Sequence, residues 1–156
     1  MIIILDNVRS IFNVGAIFRT ADSVGADAIM LGGYTPTPPN DKLLKTSLGA
    51  LDYVEWKTFN NEELLKQLVF MKENGIRIIS VEQTPKSICY TEASNSKQLT
   101  WNDTAYVFGN EIVGVKEEIL NLSDLIIDIP MHGKKNSLNV SVTVGIISYE
   151  ANRFKQ

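Results

Sequence analysis

The chain has 156 residues and a formal net charge of −3, with 44% hydrophobic and 21% charged residues. This length fits one domain, residues 1–156, whose core buries roughly two-thirds of the unfolded surface. The composition excludes a disordered chain, and the acidic balance excludes non-specific nucleic-acid binding by the whole surface. The longest apolar runs are too short to span a bilayer, so we expect no membrane segment. The lone cysteine, Cys89, excludes a disulfide framework and a thiolate metal cluster, and it favours a reduced, cytoplasmic setting without a metal site.

Continuous apolar runs predict five buried strands: Ile2–Leu5, Ala28–Leu31, Ile76–Val81, Ala105–Phe108 and Leu125–Ile129. Helical spacing of apolar residues predicts a helix over Asn13–Val24, which Gly25 can end, and a second over Glu62–Asn74. Asn60 and Asn61 are candidate caps of the second helix. Strands that alternate with helices pair in parallel, and strands that are apolar throughout need helices on both faces. The pattern therefore predicts an α/β fold with an open, mostly parallel sheet covered by helices on both faces.

Two segments show no clear periodicity, and a third fits both the strand and the helix period. Gly32–Asn40 holds two adjacent glycines and three prolines, which predicts a loop. Gln83–Asn102 is polar and weakly periodic, which predicts an irregular surface segment. Val140–Val144 alternates like a strand, yet the apolar residues of Val140–Phe154 also share one helical face, with Asn139 as a possible cap. Such a helix would be apolar on more than half its circumference and would need to bury a second face, which another copy of the chain could cover.

Polar residues gather in three places that follow or precede buried strands. They are the segments Asn13–Arg19, Gly109–Gly114 and Ile129–Val142, and the last is the most informative. In it an apolar strand runs into a basic, glycine-containing loop and then into a Ser-Leu-Asn step. Open α/β sheets bind ligands beyond the carboxyl ends of their strands, so we expect the three segments to form one site.

These segments resemble the three motifs of a known family. Asn13-Val14-Gly15-Ala16-Ile17-Phe18-Arg19 resembles the first motif of the SpoU/TrmH branch of the SPOUT superfamily, and Phe108–Gly114 resembles the second. Ile129–Ser141 resembles the third, which is the most specific, and the resemblance covers essentially the whole chain. It implies an S-adenosyl-L-methionine (AdoMet)-dependent RNA ribose 2′-O-methyltransferase, a C-terminal deep trefoil knot that holds AdoMet, and a homodimer. It also favours a helix over Val140–Phe154.

The resemblance implies five catalytic-site residues: Arg19, Asn13, Glu111, Asn139 and Ser137. Arg19 matches the motif arginine that is proposed as the base in this family. A guanidinium has a pKa above about 12, so clamping a phosphate and stabilising the developing alkoxide is the alternative role. Asn13 orients Arg19 or the ribose, or it is the helix N-cap. Glu111 is expected in a Glu–Arg pair across the dimer, and Asn139 and Ser137 form the polar pair of the third motif or cap the last helix.

The expected AdoMet contacts come mostly from backbone groups of Val81, Glu82, Gly109, Ile129, Met131, Ser137 and Leu138. In this reading Ile129, Met131 and Leu138 sandwich the adenine, and the glycines Gly109 and Gly133 let the backbone approach the cofactor. The expected RNA contacts are basic residues: Arg9, Arg19, Lys42, Lys45, Lys134 and Lys135.

The chain resembles the minimal form of the family, which has a catalytic domain alone, so tRNA is the favoured substrate and rRNA the next. Because the chain is acidic, a structured substrate or a partner protein is expected to supply part of the recognition. The alternative function is a non-catalytic RNA-binding protein of the same knotted fold. A dinucleotide-binding enzyme is disfavoured because no Gly-x-Gly-x-x-Gly follows the first strand.

Overall fold

A computed structural model describes residues 1–155 as a parallel sheet flanked by helices. All six strand pairings are parallel, and the strand order is β3-β2-β1-β6-β4-β7-β5. The strands are β1 (Ile2–Asp6), β2 (Ala28–Gly32), β3 (Glu55–Phe59), β4 (Arg77–Val81), β5 (Ile88–Cys89), β6 (Thr104–Phe108) and β7 (Leu125–Asp128). The α/β class and the parallel sheet are confirmed. The trefoil knot stays a prediction.

Helices cover both faces of the sheet, as the continuous apolar strands predicted. They are α1 (Ile11–Val24), α2 (Asp41–Ser47), α3 (Asn61–Glu73), α4 (Tyr90–Asn95), α5 (Glu117–Leu122) and α6 (Val140–Asn152), with a short 3₁₀ helix at Ala50–Asp52. One core cluster joins α1, α2, α4 and α6 to one sheet face, and a second joins α3 and α5 to the other. Within residues 1–155, no helix is both long enough and apolar enough to cross a membrane.

The ends of the helices follow local capping chemistry. Asn60 caps α3 in a reciprocal capping box with Glu63, which confirms one of its two cap candidates. Gly25 ends α1 in the left-handed conformation, with φ of 67°. Asn139 caps α6 by accepting from the Ser141 N–H at 2.8 Å. Val140–Asn152 is therefore a helix, and the strand suggested by its alternation is wrong because the cap and the buried helical face prevail.

Several local predictions need correction. The N-cap of α1 is Ser10, whose hydroxyl accepts from the Asn13 N–H, so Asn13 lies inside the helix and does not cap it. The segment from Gln83 to Asn102 is not wholly irregular, because it contains β5 and α4. The edge strand β3 was missed because its exposed residues break the apolar run, and α2 and α5 are too short to show periodicity. No helix or strand lies within residues 33–40, which confirms the loop.

Candidate active site

A cavity of about 580 Å³ lies beyond the carboxyl ends of β4, β6 and β7. Val81, Phe108 and Asp128 end these strands and form its floor. Its walls come from two loops, residues 109–114 after β6 and residues 129–138 after β7, and from the first turn of α6. The volume lies in the range of small-molecule and cofactor sites, and the position is the one that parallel sheets use for ligands.

The predicted cofactor residues converge on this cavity. All seven line it: Val81, Glu82, Gly109, Ile129, Met131, Ser137 and Leu138. They come from three separate strand ends, and the sheet brings them together because parallel strands present their carboxyl ends at one edge. The specific contacts of each residue with a cofactor stay a prediction.

The charge of the cavity lining is wholly acidic. Glu82, Glu111 and Asp128 contribute to it, and none of its lining residues within the described chain is lysine, arginine or histidine. Carboxylates around a small cavity favour a cationic ligand and disfavour one that carries phosphates. Among residues 1–155, no group of three or more His, Cys, Asp or Glu side chains is arranged to hold a metal ion.

Glu111 ties the loop after β6 to the start of α1. Its carboxylate accepts hydrogen bonds from the Arg9 N–H at 2.8 Å, from the Ser10 N–H at 3.0 Å and from the Asn13 amide at 2.9 Å. Burial acts to raise the pKa of Glu111, but the Arg9 N–H and the other donors outweigh burial and hold the pKa below its ordinary value. Glu111 is therefore a carboxylate at neutral pH.

Asn13 extends the contact from Glu111 to the third motif. The Asn13 side-chain oxygen accepts from the Asn139 amide at 3.0 Å, and Asn139 in turn accepts from the Ser141 hydroxyl at 2.6 Å. The Asn13 amide nitrogen donates to Glu111, so the side-chain nitrogen and oxygen of Asn13 have different partners and the orientation of the amide is defined. We call Glu111, Asn13 and Asn139 the rim network, because all three are polar side chains at or beside the mouth of the cavity.

Two glycines shape the loop after β6, and the predicted approach of the Gly109 backbone to a cofactor stays a prediction. A Cβ on Gly109 would lie 2.2 Å from the backbone of Gly114 and Val115, so the close approach is to the loop itself. Gly114 has φ of 72°, and a Cβ there would lie 2.1 Å from the Glu82 carboxylate. Glu82 uses that carboxylate to accept from the Val115 N–H at 2.9 Å. Around Gly133, by contrast, there is open space for a side chain.

The remaining predicted residues, Arg19 and the basic residues expected to contact RNA, are not among those that line the cavity. Arg19 is exposed on α1, six residues or about 9 Å along the helix axis from Asn13. The other predicted RNA contacts, Arg9, Lys42, Lys45, Lys134 and Lys135, are all exposed. The structure thus brings Asn13, Glu111, Asn139 and Ser137 to one place, and it does not bring Arg19 of the same chain there.

Several residues that line the cavity were not predicted, among them Asp128 and Asn110. Asp128 lines the cavity and accepts from the Ser87 hydroxyl; its signal was an acidic residue ending an apolar strand. Asn110 lines the cavity and is buried. Its side chain donates to the Asn7 carbonyl and accepts from the Ile112 N–H. Its signal was its position between Gly109 and Glu111 in the second motif.

The family model described as "SpoU rRNA Methylase family" matches residues 1–149, and the chain belongs to this family. It is 34% identical to the tRNA (guanosine(18)-2′-O)-methyltransferase of Aquifex aeolicus. The match covers the whole of this chain and 70% of that protein. The chain spans only 63%, 57% and 58% of the length of three further curated relatives, from Borreliella burgdorferi, Bacillus subtilis and Neisseria meningitidis.

Solved structures of the same family superpose over nearly all of the chain. An AdoMet-bound rRNA methyltransferase from Sinorhizobium meliloti matches with a TM-score of 0.87 and 26% identity, over 99% of this chain and 56% of that one. A protein described by the methylation of C/U34 on tRNA matches with a TM-score of 0.82 and 25% identity, over 97% of this chain and 93% of that one. The sheet and its flanking helices are therefore those of a SpoU-type methyltransferase.

Proposed function

We propose that this protein transfers the methyl group of AdoMet to a ribose 2′-hydroxyl of RNA. The observation that carries the proposal is the rim network, which joins all three motif segments beside an acid-lined cavity of about 580 Å³. A methyl donor and a hydroxyl acceptor must be held in line at roughly 3–3.5 Å, and fixed groups around one cavity suit that need.

The cavity suits AdoMet in shape and charge. Ile129, Met131 and Leu138 offer apolar side chains for the adenine, while Glu82, Glu111 and Asp128 give the lining the sign opposite to a sulfonium. The same carboxylates would repel the diphosphate of a dinucleotide, which further disfavours that alternative. When bound, AdoMet supplies an electrophilic methyl group.

The residues of the chain bind and orient the ribose hydroxyl, whose proton passes to water as the methyl group is transferred. The rim network fixes the Asn13 amide between Glu111 and Asn139, which orients polar groups beside the mouth of the cavity. Arg19 stabilises the alkoxide that develops on the ribose and clamps the neighbouring phosphate; as a permanent cation it is better suited to this than to removing a proton.

Because Arg19 does not line the cavity of its own chain, we propose that it acts in a homodimer. Phe12 and Arg19 are seven residues apart and therefore share one exposed face of α1; Val142 and Tyr149 likewise share an exposed face of α6. Apolar side chains exposed on two adjacent helices are typical of an interface. A second copy seated there would bring its arginine towards the rim network and so form the predicted Glu–Arg pair.

The proposed RNA is tRNA, with rRNA as the next candidate. The chain is similar over 97% of its length to the protein described by methylation of C/U34 on tRNA, and the match covers 93% of that protein. It is also similar to larger enzymes named for tRNA and rRNA. Exposed Arg9, Lys42, Lys45, Lys134 and Lys135 provide phosphate contacts on an otherwise acidic chain. A cytoplasmic location fits this substrate and the single free cysteine.

The first experiment is incubation with methyl-labelled AdoMet and unmodified total RNA, followed by alkaline digestion. We expect label in alkali-resistant dinucleotides, because a methylated 2′-hydroxyl cannot attack the adjacent phosphate. Size fractionation then separates tRNA from rRNA. A protein that binds AdoMet and RNA yet transfers no methyl group would be the non-catalytic alternative, and one that binds no AdoMet would contradict the proposal.

Arg19→Ala tests the proposed catalytic role. We expect kcat to fall about 100-fold or more, as when one preorganised group that stabilises developing charge is removed, with AdoMet binding unchanged. Lys66→Ala is the control, because Lys66 is also an exposed cation and pairs with Glu62 on α3. Sedimentation of both variants checks that the dimer persists, and full activity of Arg19→Ala would refute the assignment.

A further inference from the structure

An exposed aromatic ring stands beside the cavity and has no place in the mechanism above. Tyr34 follows β2 in the glycine- and proline-rich loop, and 60% of its surface is exposed. Its hydroxyl nevertheless accepts a hydrogen bond of 2.7 Å from the amide of Asn110, a residue that lines the cavity. The Tyr34 side chain is therefore largely open to solvent while its hydroxyl is fixed at the cavity wall.

The backbone on both sides of Tyr34 is held as firmly as its tip. The Tyr34 N–H donates to the Asn7 side chain at 3.2 Å, and the Thr35 hydroxyl donates to the Gly32 carbonyl at 2.7 Å. Gly33 makes this turn possible with φ of 64°, since a Cβ there would lie 2.0 Å from the Asn7 side-chain oxygen. A ring whose backbone and tip are both fixed loses little conformational entropy when a ligand covers it.

Asn110 holds the Tyr34 hydroxyl, but its side chain has no donor or acceptor left to bind a ligand. Its amide nitrogen donates to the Asn7 carbonyl at 2.8 Å and to the Tyr34 hydroxyl, and its oxygen accepts from the N–H groups of Ile112 and Val113. These four bonds use the whole capacity of an amide side chain. Tyr34 keeps its own hydroxyl proton, for which residues 1–155 provide no acceptor, so it can donate to a ligand.

We propose that Tyr34 is a substrate-recognition residue on whose ring an unpaired base of the RNA stacks, next to the nucleotide whose ribose enters the cavity. This inference rests on the proposed function and identifies the substrate region as single-stranded. Exposed aromatic side chains bind unpaired bases with little sequence preference, because every base has a flat face. Exposed Arg9, whose backbone N–H is fixed on Glu111, lies in the adjoining loop and can contact a phosphate of the same strand.

The test compares Tyr34→Leu with Tyr34→Phe, using unmodified bulk tRNA as methyl acceptor and filter binding of the same tRNA. Loss of the ring should raise both KM for tRNA and Kd about tenfold, within the range for one base–aromatic stack, and leave kcat at saturation and AdoMet binding unchanged. Tyr34→Phe keeps the ring and should stay within about threefold of wild type. Tyr53→Leu is the matched control, because Tyr53 is 80% exposed but precedes β3 and so lies at the opposite, amino edge of the sheet.

The outcomes separate this inference from the proposed function. If wild type methylates tRNA and Tyr34→Leu behaves like Tyr53→Leu, the stacking assignment is overturned and the methyltransferase stands. A loss in Tyr34→Phe equal to that in Tyr34→Leu would also overturn it, since the hydroxyl rather than the ring would then bind the RNA. If wild type binds tRNA without methylating it and Tyr34→Leu still weakens binding tenfold, the catalytic proposal fails and the stacking contact stands.

Discussion

Polar residues cluster at two neighbouring stretches of the same sheet edge, one closed and one open. At the carboxyl ends of β1 and β2, Asp6, Asn7 and Thr35 are buried and their side chains are bonded to the chain itself. Beyond β6, β4 and β7, the rim network lies beside a cavity, with Glu111 and Asn139 exposed and Asn13 half-buried. Asn110 lies at the boundary and bonds to the closed side while it lines the open one.

The difference shows how a single edge can serve as both scaffold and site. A buried polar group must be fully bonded or it costs folding free energy, so the closed cluster has little capacity left for a ligand. The rim network keeps water as an alternative partner, and its groups can therefore exchange water for substrate. We expect substitutions in the closed cluster to change stability, and substitutions in the rim network to change turnover.

The largest effect on this contrast should come from Asn7→Ala. Asn7 donates to Asp6 at 2.7 Å and to Asn61 at 2.9 Å, and it has φ of 57°. Loss of these bonds, together with the strain of alanine in the left-handed region, should lower the free energy of unfolding by about 2–4 kcal/mol. Urea denaturation measures this value, and AdoMet affinity of the folded protein should not change.

Asn7→Gly separates the two causes in this prediction. Glycine adopts the left-handed conformation without strain, so this variant should recover about 1 kcal/mol relative to alanine while it still lacks the side-chain hydrogen bonds. If Asn7→Ala unfolds at the same urea concentration as wild type, the cluster is not a scaffold and the contrast fails.

An intermediate effect is expected for Asn13→Ala in the rim network. Both partners of Asn13 are exposed, so the free energy of unfolding should change by only about 0.5 kcal/mol. The methyl-transfer kcat should fall about tenfold, because the positions of Glu111 and Asn139 are no longer coupled. A steady-state assay at saturating AdoMet measures the change.

A double-substitution cycle sharpens this prediction. Asn139→Ser preserves an N-cap for α6, but its shorter side chain does not reach Asn13. If the network acts as a unit, the double variant should lose no more activity than the worse single variant. Additive losses would mean that the two residues act independently and that the network has no collective role.

The smallest effect is the pH dependence of Glu111. Its pKa in the folded protein lies below the ordinary value of 4.5, because the donors from Arg9, Ser10 and Asn13 outweigh burial. The unfolded state therefore takes up a proton first as the pH falls. The contribution of Glu111 to stability should be fully present above pH 4.5 and should be lost as the pH falls through the folded pKa. Urea midpoints from pH 3 to pH 7 should show a shallower acid limb for Glu111→Gln; identical limbs would contradict this.

Much of the fold followed from local patterns in the sequence. Five strands and two helices were visible because their apolar residues are continuous or spaced at the helical period. The missed elements are exposed or short, so tertiary contacts rather than sequence periodicity hold them in place; they are β3, β5, α2, α4 and α5. Likewise, Asn13 has a side chain typical of a cap, but Ser10 is the residue whose backbone is extended before the first turn.

The sequence by itself determined the α/β class, the three polar segments and part of the cavity lining, because strand patterns are local and the motifs match those of the family. Only the tertiary structure decided that Glu111 binds the backbone before α1, that Gly109 packs against its own loop, and that Arg19 lies outside the cavity. The bonds from Glu111 to Asn13 and from Asn13 to Asn139 join residues 98 and 126 positions apart. Such contacts depend on how strands and helices are placed in space, and no periodicity along the chain contains that information.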